Sequence, residues 1–261
     1  MSDKPIVSCI NVGSMKCGSR SIFAMLSQNK DFLLPALDNN NVSFNSYSRK
    51  ETHYFMREIE DKKHYENFFY NVNGIHGEGV SAYIASIEYL KKIKRYNPDI
   101  KILYFVRDPL KRIWSQYNFY MKNISFLNKN KNLKYFIENK QILESKKYEL
   151  QKDHYFDLKR LIYFSMYGTH ITQIYNIFPK ENVFLIKLED LNENYQIIIN
   201  ELEVFLGLQP NPNIEYVHRI KTAQVRNKEE LEDAKDLIQE LLKDEMISFY
   251  EKTGIDYRFE G

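Results

Sequence analysis

The sequence predicts an α/β fold of three layers, in which a central parallel sheet lies between two layers of helices. Three apolar runs have the length and composition of strands that are buried on both faces: residues 6–12, 101–106 and 183–187. Amphipathic helical patterns alternate with these runs, and that alternation is typical of a parallel sheet. With 261 residues, 43% of them hydrophobic, the chain can bury the core of one domain spanning residues 1–261.

The first predicted strand leads into a loop with two glycines and one lysine. A strand, a glycine-bearing loop and a helix in this order direct backbone N–H groups and the helix dipole at a phosphate, so the stretch predicts an anion site. Gly13 and Gly18 have the spacing of a Walker A loop, but Ser19-Arg20 stands where that loop has Lys-Ser/Thr. The loop's lysine is Lys16, so an ordinary NTPase loop is not predicted. A solvated turn would use the same residue types.

Two titratable residues, Glu51 and His53, precede an aromatic pair. In an extended segment, residues i and i+2 point the same way, so we expect both side chains on one face of a cleft. A surface loop, in which the two side chains form a solvated pair, would have the same residues.

The run at residues 74–83 is rich in glycine and is predicted to be a turn. It contributes His76 and Glu78 as reserve candidates for proton transfer. A helix should follow, because apolar residues recur every three positions at Ile84, Ile87, Leu90 and Ile93.

The strand at residues 101–106 is followed directly by Arg107, and Pro109 suits the first turn of the next helix. Ligands of open α/β sheets bind outside the carboxyl ends of the strands, which is where Arg107 falls. We expect Arg107, Arg112 and Ser115 to converge on one site. In the alternative, Arg107 pairs with Asp108 or caps a neighbouring helix.

The remaining segments complete the predicted layers. Residues 122–153 read as polar helical excursions, residues 157–178 as a helix, and the stretch from about residue 194 as a helix that ends at Gly207. A basic loop at residues 217–228 then leads to a last helix at residues 229–250.

Composition limits the partners and the location. A net charge of +2 does not predict nucleic-acid binding, and no segment approaches the ~18 apolar residues of a membrane span. Cys9 should be buried in its strand and Cys17 should face the ligand, so they are a poor disulfide pair. We expect a soluble protein of a reducing compartment, the cytoplasm, and leave its oligomeric state open.

Four blocks in order resemble the PAPS-dependent sulfotransferases, particularly the heparan sulfate and related carbohydrate branch, over nearly the whole chain. The blocks are the loop at residues 16–21, the acid-x-His-aromatic-aromatic run at 51–55, the Arg-Asp-Pro run from residue 107, and residues 178–208. The resemblance implies a P-loop-containing sulfotransferase-like fold. It also implies transfer of a sulfuryl group from PAPS to a hydroxyl or amine of a small polar acceptor, in line and without a metal, with PAP as product.

The same resemblance implies roles for single residues. Lys16, Glu51 and His53 are the implied catalytic residues, with Lys16 at the bridging oxygen of the donor, Glu51 as base and His53 positioning the acceptor. The ordinary pKa of histidine lies closer to neutral pH, so the reverse assignment of base stays open. The implied nucleotide-binding residues are Lys16, Cys17, Gly18, Ser19, Arg20, Ser21, Arg107, Ser115 and Arg226.

One departure from the family's pattern concerns the acceptor. Gly79 stands where many carbohydrate sulfotransferases have a lysine, so both a carbohydrate and a secondary metabolite remain possible acceptors. Two other functions fit the same fold: a P-loop small-molecule kinase, and a non-catalytic nucleotide-binding or interaction protein. Ser19-Arg20 argues against the kinase, and the presence of Lys16, Glu51 and His53 together argues against the non-catalytic protein.

Overall fold

The computed structural model describes residues 6–35, 51–58, 61–69, 73–123, 129–138, 160–217 and 224–259. Within them, a five-stranded sheet has the order β2-β3-β1-β4-β5, and every neighbouring pair is parallel. The strands are β1 (Val7–Gly13), β2 (Phe32–Leu33), β3 (Ile75–Gly79), β4 (Lys101–Val106) and β5 (Val183–Lys187). Because the strand order reverses at β1, the carboxyl end of this strand is the point at which open α/β sheets bind ligands.

Helices connect the strands and follow them. They are α1 (Ser19–Leu26), α2 (Lys62–Glu66), α3 (Ile87–Tyr96), α4 (Pro109–Asn123), α5 (Leu133–Glu138), α6 (Arg160–Tyr163), α7 (Tyr167–Ile177), α8 (Leu188–Leu206) and α9 (Glu229–Thr253). The predicted α/β fold, with a central parallel sheet flanked by helices, is confirmed.

The chain divides into two compact units. The first consists of residues 1–106 and 174–219, and the second of residues 107–173 and 220–261. The sheet belongs to the first unit. The expectation of one domain over residues 1–261 stays a prediction.

The sheet of the first unit is covered by helices on the face that carries Cys9, Leu103 and Phe105. Their side chains share one apolar cluster with residues of α1 and α8. Alternate strand residues point to the opposite face. There, Ile84 and Tyr104 lie so close to Gly13 that a β-carbon on this glycine would stand 2.8 Å from Ile84 Cγ2.

The prediction of a turn at residues 74–83 was wrong, because Ile75–Gly79 form β3, which pairs with β1 and β2. The glycines mark close packing here. A β-carbon on Gly77 would lie 2.4 Å from Phe32 Cζ, so this glycine makes room for the aromatic ring of the neighbouring strand. A glycine-rich run is typical both of a turn and of a closely packed strand, and only the pairing of the strands distinguishes the two.

Two predicted helices differ in their bounds. Ile84 lies in a 3₁₀ turn, Tyr83–Ala85, and α3 begins only after Ser86, whose hydroxyl caps the helix by accepting from the N–H of Glu88. Consequently Ile87 is 40% exposed and is not part of a buried stripe. The helix expected from about Asn194 begins at Leu188, and Asn194 is a kink within it, at φ −135° and ψ 41°.

The predicted helix at residues 157–178 is two helices, α6 and α7, in its described part. Of the polar stretch at residues 122–153, the structure describes the end of α4 and residues 129–138, which include α5, and the rest lies outside the described residues. The last helix, α9, begins at Glu229 as expected and continues to Thr253.

The second unit contains a buried polar cluster around Arg112. Its guanidinium donates to Ser165 Oγ at 2.5 Å, to Gln116 Oε1 and to the carbonyl of Leu161. Burial, with a smaller contribution from the Arg112 charge, lowers the pKa of His170 in this cluster to about 3. His170 is therefore neutral in the folded chain at ordinary pH.

Gly77→Ala is expected to destabilise the chain by about 1–3 kcal/mol, because the added methyl group overpacks the site against the Phe32 ring. Urea unfolding measures the loss. Phe32→Leu in the same chain should recover part of it, since the smaller side chain vacates the space. A Gly77→Ala variant with wild-type stability would contradict this packing.

His170 should make stability fall on acidification. The unfolded histidine takes up a proton near its ordinary pKa of 6.5, whereas the folded one stays neutral until about 3. Between these values the unfolded state binds more protons than the folded state. His170 therefore lowers the free energy of unfolding by about 1.4 kcal/mol per pH unit as the pH falls below 6.5. Urea unfolding at pH 7.5, 5.5 and 4.5 gives the free energy of unfolding at each pH. Its values for wild type and His170→Gln should converge as the pH falls, and a constant difference would refute the prediction.

Candidate functional site

The loop between β1 and α1 has a backbone that requires glycine at its end. Gly18 precedes α1 in the left-handed conformation, at φ 83° and ψ 8°, and makes no side-chain cap to the helix. A β-carbon there would stand 2.5 Å from Leu188 Cδ1. The N–H groups of Ser21 and Ile22 both donate to the carbonyl of Gly18, so the amide of Ser21 is already used within the helix. Lys16 is half-buried within the loop and also has a positive φ, of 70°.

A side chain of β1 and one that follows β3 hold this loop in place. Asn11 is completely buried in β1, where its Oδ1 accepts from the N–H of Gly13 at 2.8 Å and its Nδ2 donates to Ser81 Oγ at 3.4 Å. Ser81 Oγ lies 3.1 Å from Ser19 Oγ at the start of α1. The prediction from sequence missed Asn11 and Ser81. The signal for Asn11 was a lone amide within an apolar strand.

The expectation that Cys17 faces a ligand was wrong for its side chain. Cys17 is 1% exposed and packs in the apolar cluster beside Ile22 and Leu191. The loop carries a small apolar residue at this position because the side chain points into the core. Cys9 and Cys17 do not form a disulfide, and burial raises the pKa of the Cys9 thiol.

Glu51 and His53 lie together in the first unit. His53 Nε2 is 3.5 Å from Glu51 Oε2, and the side chains are 31% and 14% exposed respectively. The segment was predicted to be extended, but it turns at His53, which has φ 56° and ψ 22°. The 3₁₀ turn Tyr54–Met56 follows, and the N–H of Met56 donates to the carbonyl of His53. The pair therefore meets across a turn.

A buried carboxylate lies directly behind this pair. Glu78 Oε1 accepts from the N–H of Thr52 at 2.9 Å, from Thr52 Oγ1 at 2.6 Å and from the hydroxyl of Tyr83 at 2.9 Å. Glu78 Oε2 accepts from the hydroxyl of Tyr65 at 2.6 Å. Burial, followed by the charge of Glu78, raises the pKa of both tyrosines, so their hydroxyls remain hydrogen-bond donors.

The two reserve candidates for proton transfer, His76 and Glu78, are too deeply buried to reach an acceptor substrate. Glu78 is completely buried and His76 is almost so, with its ring edge-to-face against Phe69. Both lie in β3, whose burial the prediction of a turn did not anticipate.

The second unit contains the three residues that were expected to converge on one site, Arg107, Arg112 and Ser115. The N–H of Arg107 donates to the hydroxyl of Tyr167 at 3.3 Å, and the same hydroxyl donates to the carbonyl of Arg107 at 2.7 Å. Ser115 is half-buried on α4. The expectation that Arg112 lies in the same site as Arg107 and Ser115 was wrong, because its guanidinium is completely buried among polar partners of its own unit.

The side chain of Arg226 has a dense set of partners in the second unit. It donates to the carbonyls of Lys129 at 2.6 Å and Lys131 at 3.0 Å, and its Nε lies 2.8 Å from Glu230 Oε1. Asn118 Oδ1 accepts from its backbone N–H at 3.1 Å. These contacts fix the start of α9, and the nucleotide role of Arg226 stays a prediction.

Lys16 to Ser21, Glu51 and His53 all lie in the first unit, so the structure brings the predicted loop and the predicted acid–histidine pair into one compact body. Within the described residues, no group of three or more His, Cys, Asp and Glu is placed to hold a metal ion. No helix in the described part of the chain is long and apolar enough to cross a membrane.

Comparisons with known proteins agree on one family. The family model described as "Sulfotransferase domain" matches residues 10–256. A sulfotransferase from Alicyclobacillus acidocaldarius superposes with a TM-score of 0.71 at 18% identity, covering 96% of each chain. The sulfotransferase domain from the curacin biosynthetic pathway gives a TM-score of 0.56 at 15% identity, over 85% of this chain and 82% of that chain. No curated protein sequence gives a significant match.

Proposed function

The chain belongs to the sulfotransferase family and is a PAPS-dependent sulfotransferase, and we propose that it transfers the sulfuryl group to a hydroxyl or amine of a small polar acceptor. The acceptor is of carbohydrate or secondary-metabolite type, and the transfer is in line and independent of metal. The observation that carries this proposal is the partly exposed Glu51–His53 pair, whose side chains are 3.5 Å apart in the unit that also holds the Lys16 loop.

Glu51 takes the acceptor's proton in this proposal. A general base must be accessible and close to the proton that it removes, and Glu51 retains exposed surface whereas Glu78 has none. His53, beside it, orients the acceptor. As the acceptor atom bonds to sulfur, the bond from sulfur to the bridging oxygen breaks, and PAP leaves with the electron pair.

The loop supplies positive charge at the other end of that bond. Negative charge develops on the bridging oxygen, and Lys16 is the cation that the loop offers to stabilise it. The first N–H groups of α1 and its dipole suit the 5′-phosphate, with Arg20 adding charge. The left-handed Gly18 without a side-chain cap supports this use of the helix start.

Arg107 and Ser115 are proposed to bind the 3′-phosphate through charge-assisted hydrogen bonds. Arg226 is the weaker member of that set, because its guanidinium already donates to two carbonyls. A bridging cation is needed less than in phosphoryl transfer, since a sulfuryl group carries less negative charge. Two cysteines that are not joined by a disulfide support a proposed cytoplasmic location.

PAP should stabilise the chain without magnesium. At about 100 times its dissociation constant, PAP should add about 2.7 kcal/mol to the free energy of unfolding, which a thermal-shift measurement detects as several degrees. ATP with magnesium is the control. A shift with ATP and magnesium but none with PAP would favour the kinase, and no shift with either would favour a non-catalytic protein.

Glu51→Gln is expected to lower turnover by about 10²–10⁴-fold and to leave the PAP shift unchanged, because it removes the base but not the loop. Turnover is measured with radiolabelled PAPS and a panel of sugars, amino sugars and phenolic metabolites. His53→Asn is the matched variant, since asparagine tolerates the left-handed backbone of this position. If Glu51→Gln kept wild-type turnover while His53→Asn abolished it, the two roles would be reversed.

A further inference from the structure

We propose that Glu78 is a positioning residue of the transfer site, which holds the Glu51–His53 pair in place through Thr52 without touching the reacting atoms. The inference rests on the proposed function, in which that pair handles the acceptor and its proton.

The geometry links Glu78 to the middle of the pair. Thr52 lies between Glu51 and His53, and both its N–H and its hydroxyl donate to Glu78 Oε1, at 2.9 and 2.6 Å. Two hydrogen bonds to one oxygen fix the peptide and the side chain of Thr52 together. Thr52 Oγ1 in turn accepts from the N–H of Tyr54 at 3.2 Å, which continues the link into the turn after His53.

The chemistry of Glu78 is unusual for a residue that serves packing alone. It is completely buried, and its partners are uncharged hydrogen-bond donors: the N–H and hydroxyl of Thr52 and the hydroxyls of Tyr65 and Tyr83. Burying a carboxylate is costly unless such bonds compensate for the lost water, and apolar residues of similar volume often stabilise a fold as well or better. What a buried charge adds is a specific geometry, because each of its partners must be in place.

Weakening this link should affect turnover and spare donor binding. The loop that is proposed to bind the 5′-phosphate is held by Asn11 and Ser81, not by Glu78. Misplacement of a catalytic group by about 1 Å can cost about 10²-fold in rate. A loosened Thr52 should therefore lower kcat while KM for PAPS stays constant.

The chain offers matched variants for a test. Tyr83 and Tyr96 both stand edge-on to Phe55, at 5.6 Å between ring centroids. The hydroxyl of Tyr83 donates to Glu78 and accepts from the N–H of Phe55, whereas that of Tyr96 donates to Glu66 and accepts from the N–H of Val7. Each Tyr→Phe change thus removes one hydroxyl with the same kinds of partner, and only Tyr83→Phe removes a partner of Glu78.

Thr52→Val and Thr52→Ser form the second pair. Valine keeps the shape of the buried side chain and loses the hydroxyl, whereas serine keeps the hydroxyl. The probe is PAPS alone, with water as acceptor: as the water oxygen bonds to sulfur, the bond from sulfur to the bridging oxygen breaks, a proton of the water passes to Glu51, and PAP and sulfate are released. Thermal unfolding with and without PAP shows that each variant is folded and binds nucleotide.

Thr52→Val and Tyr83→Phe are expected to lower kcat about 10-fold or more, with KM for PAPS and the PAP shift within about twofold of wild type. Thr52→Ser and Tyr96→Phe should keep kcat within about twofold. Equal kcat in all variants, or equal losses in Tyr83→Phe and Tyr96→Phe, would overturn the role of Glu78. So would unfolding of both Thr52→Val and Tyr83→Phe beside a folded Tyr96→Phe. A wild-type chain that neither binds PAP nor transfers the group would instead defeat the proposed function.

Discussion

The buried carboxylate of Glu78 is the constraint on which the site in the first unit depends. β3 carries it, and β3 pairs with β1 in a register that sets Glu78 opposite Ile10 and Gly79 opposite Asn11. The sheet thereby places two side chains at neighbouring positions: the carboxylate of Glu78, to which Thr52 donates, and the amide of Asn11, which supports the loop. A charge without water tolerates few arrangements of its partners, so the segment around Thr52 has little freedom.

The loop of β1 and the Glu51–His53 pair reach their positions by different means. The loop follows a regular strand, and its form is set by the left-handed Gly18, by Asn11 of that strand and by a contact with the distant Ser81. The pair directly precedes the 3₁₀ turn Tyr54–Met56, and long-range hydrogen bonds from Thr52 to Glu78 hold it there. The proposed mechanism needs both parts, because in it positive charge stabilises the leaving oxygen while a base takes the proton of the acceptor.

Much of the fold could be predicted from the sequence, and less of the site. The strands at residues 101–106 and 183–187 were readable because an apolar run of that length is typical of a strand covered on both faces. The run at residues 74–83 was not, since glycine marks both a turn and the close approach of Phe32 to Gly77. Arg112 and Cys17 were assigned to ligands by their neighbours in sequence, but packing turns both side chains inward. The partners of Glu78 lie 5 to 26 positions away, and no local pattern announces them.

The most direct test of the central constraint is hydrogen exchange at the amide of Thr52, compared between wild type and Glu78→Gln at equal pH. A buried N–H held by a carboxylate should exchange slowly in wild type. It should exchange at least about 10-fold faster in Glu78→Gln, because a neutral amide oxygen is the weaker acceptor and its NH₂ group must face a hydroxyl. An unprotected amide in wild type, or equal exchange in both chains, would contradict the account.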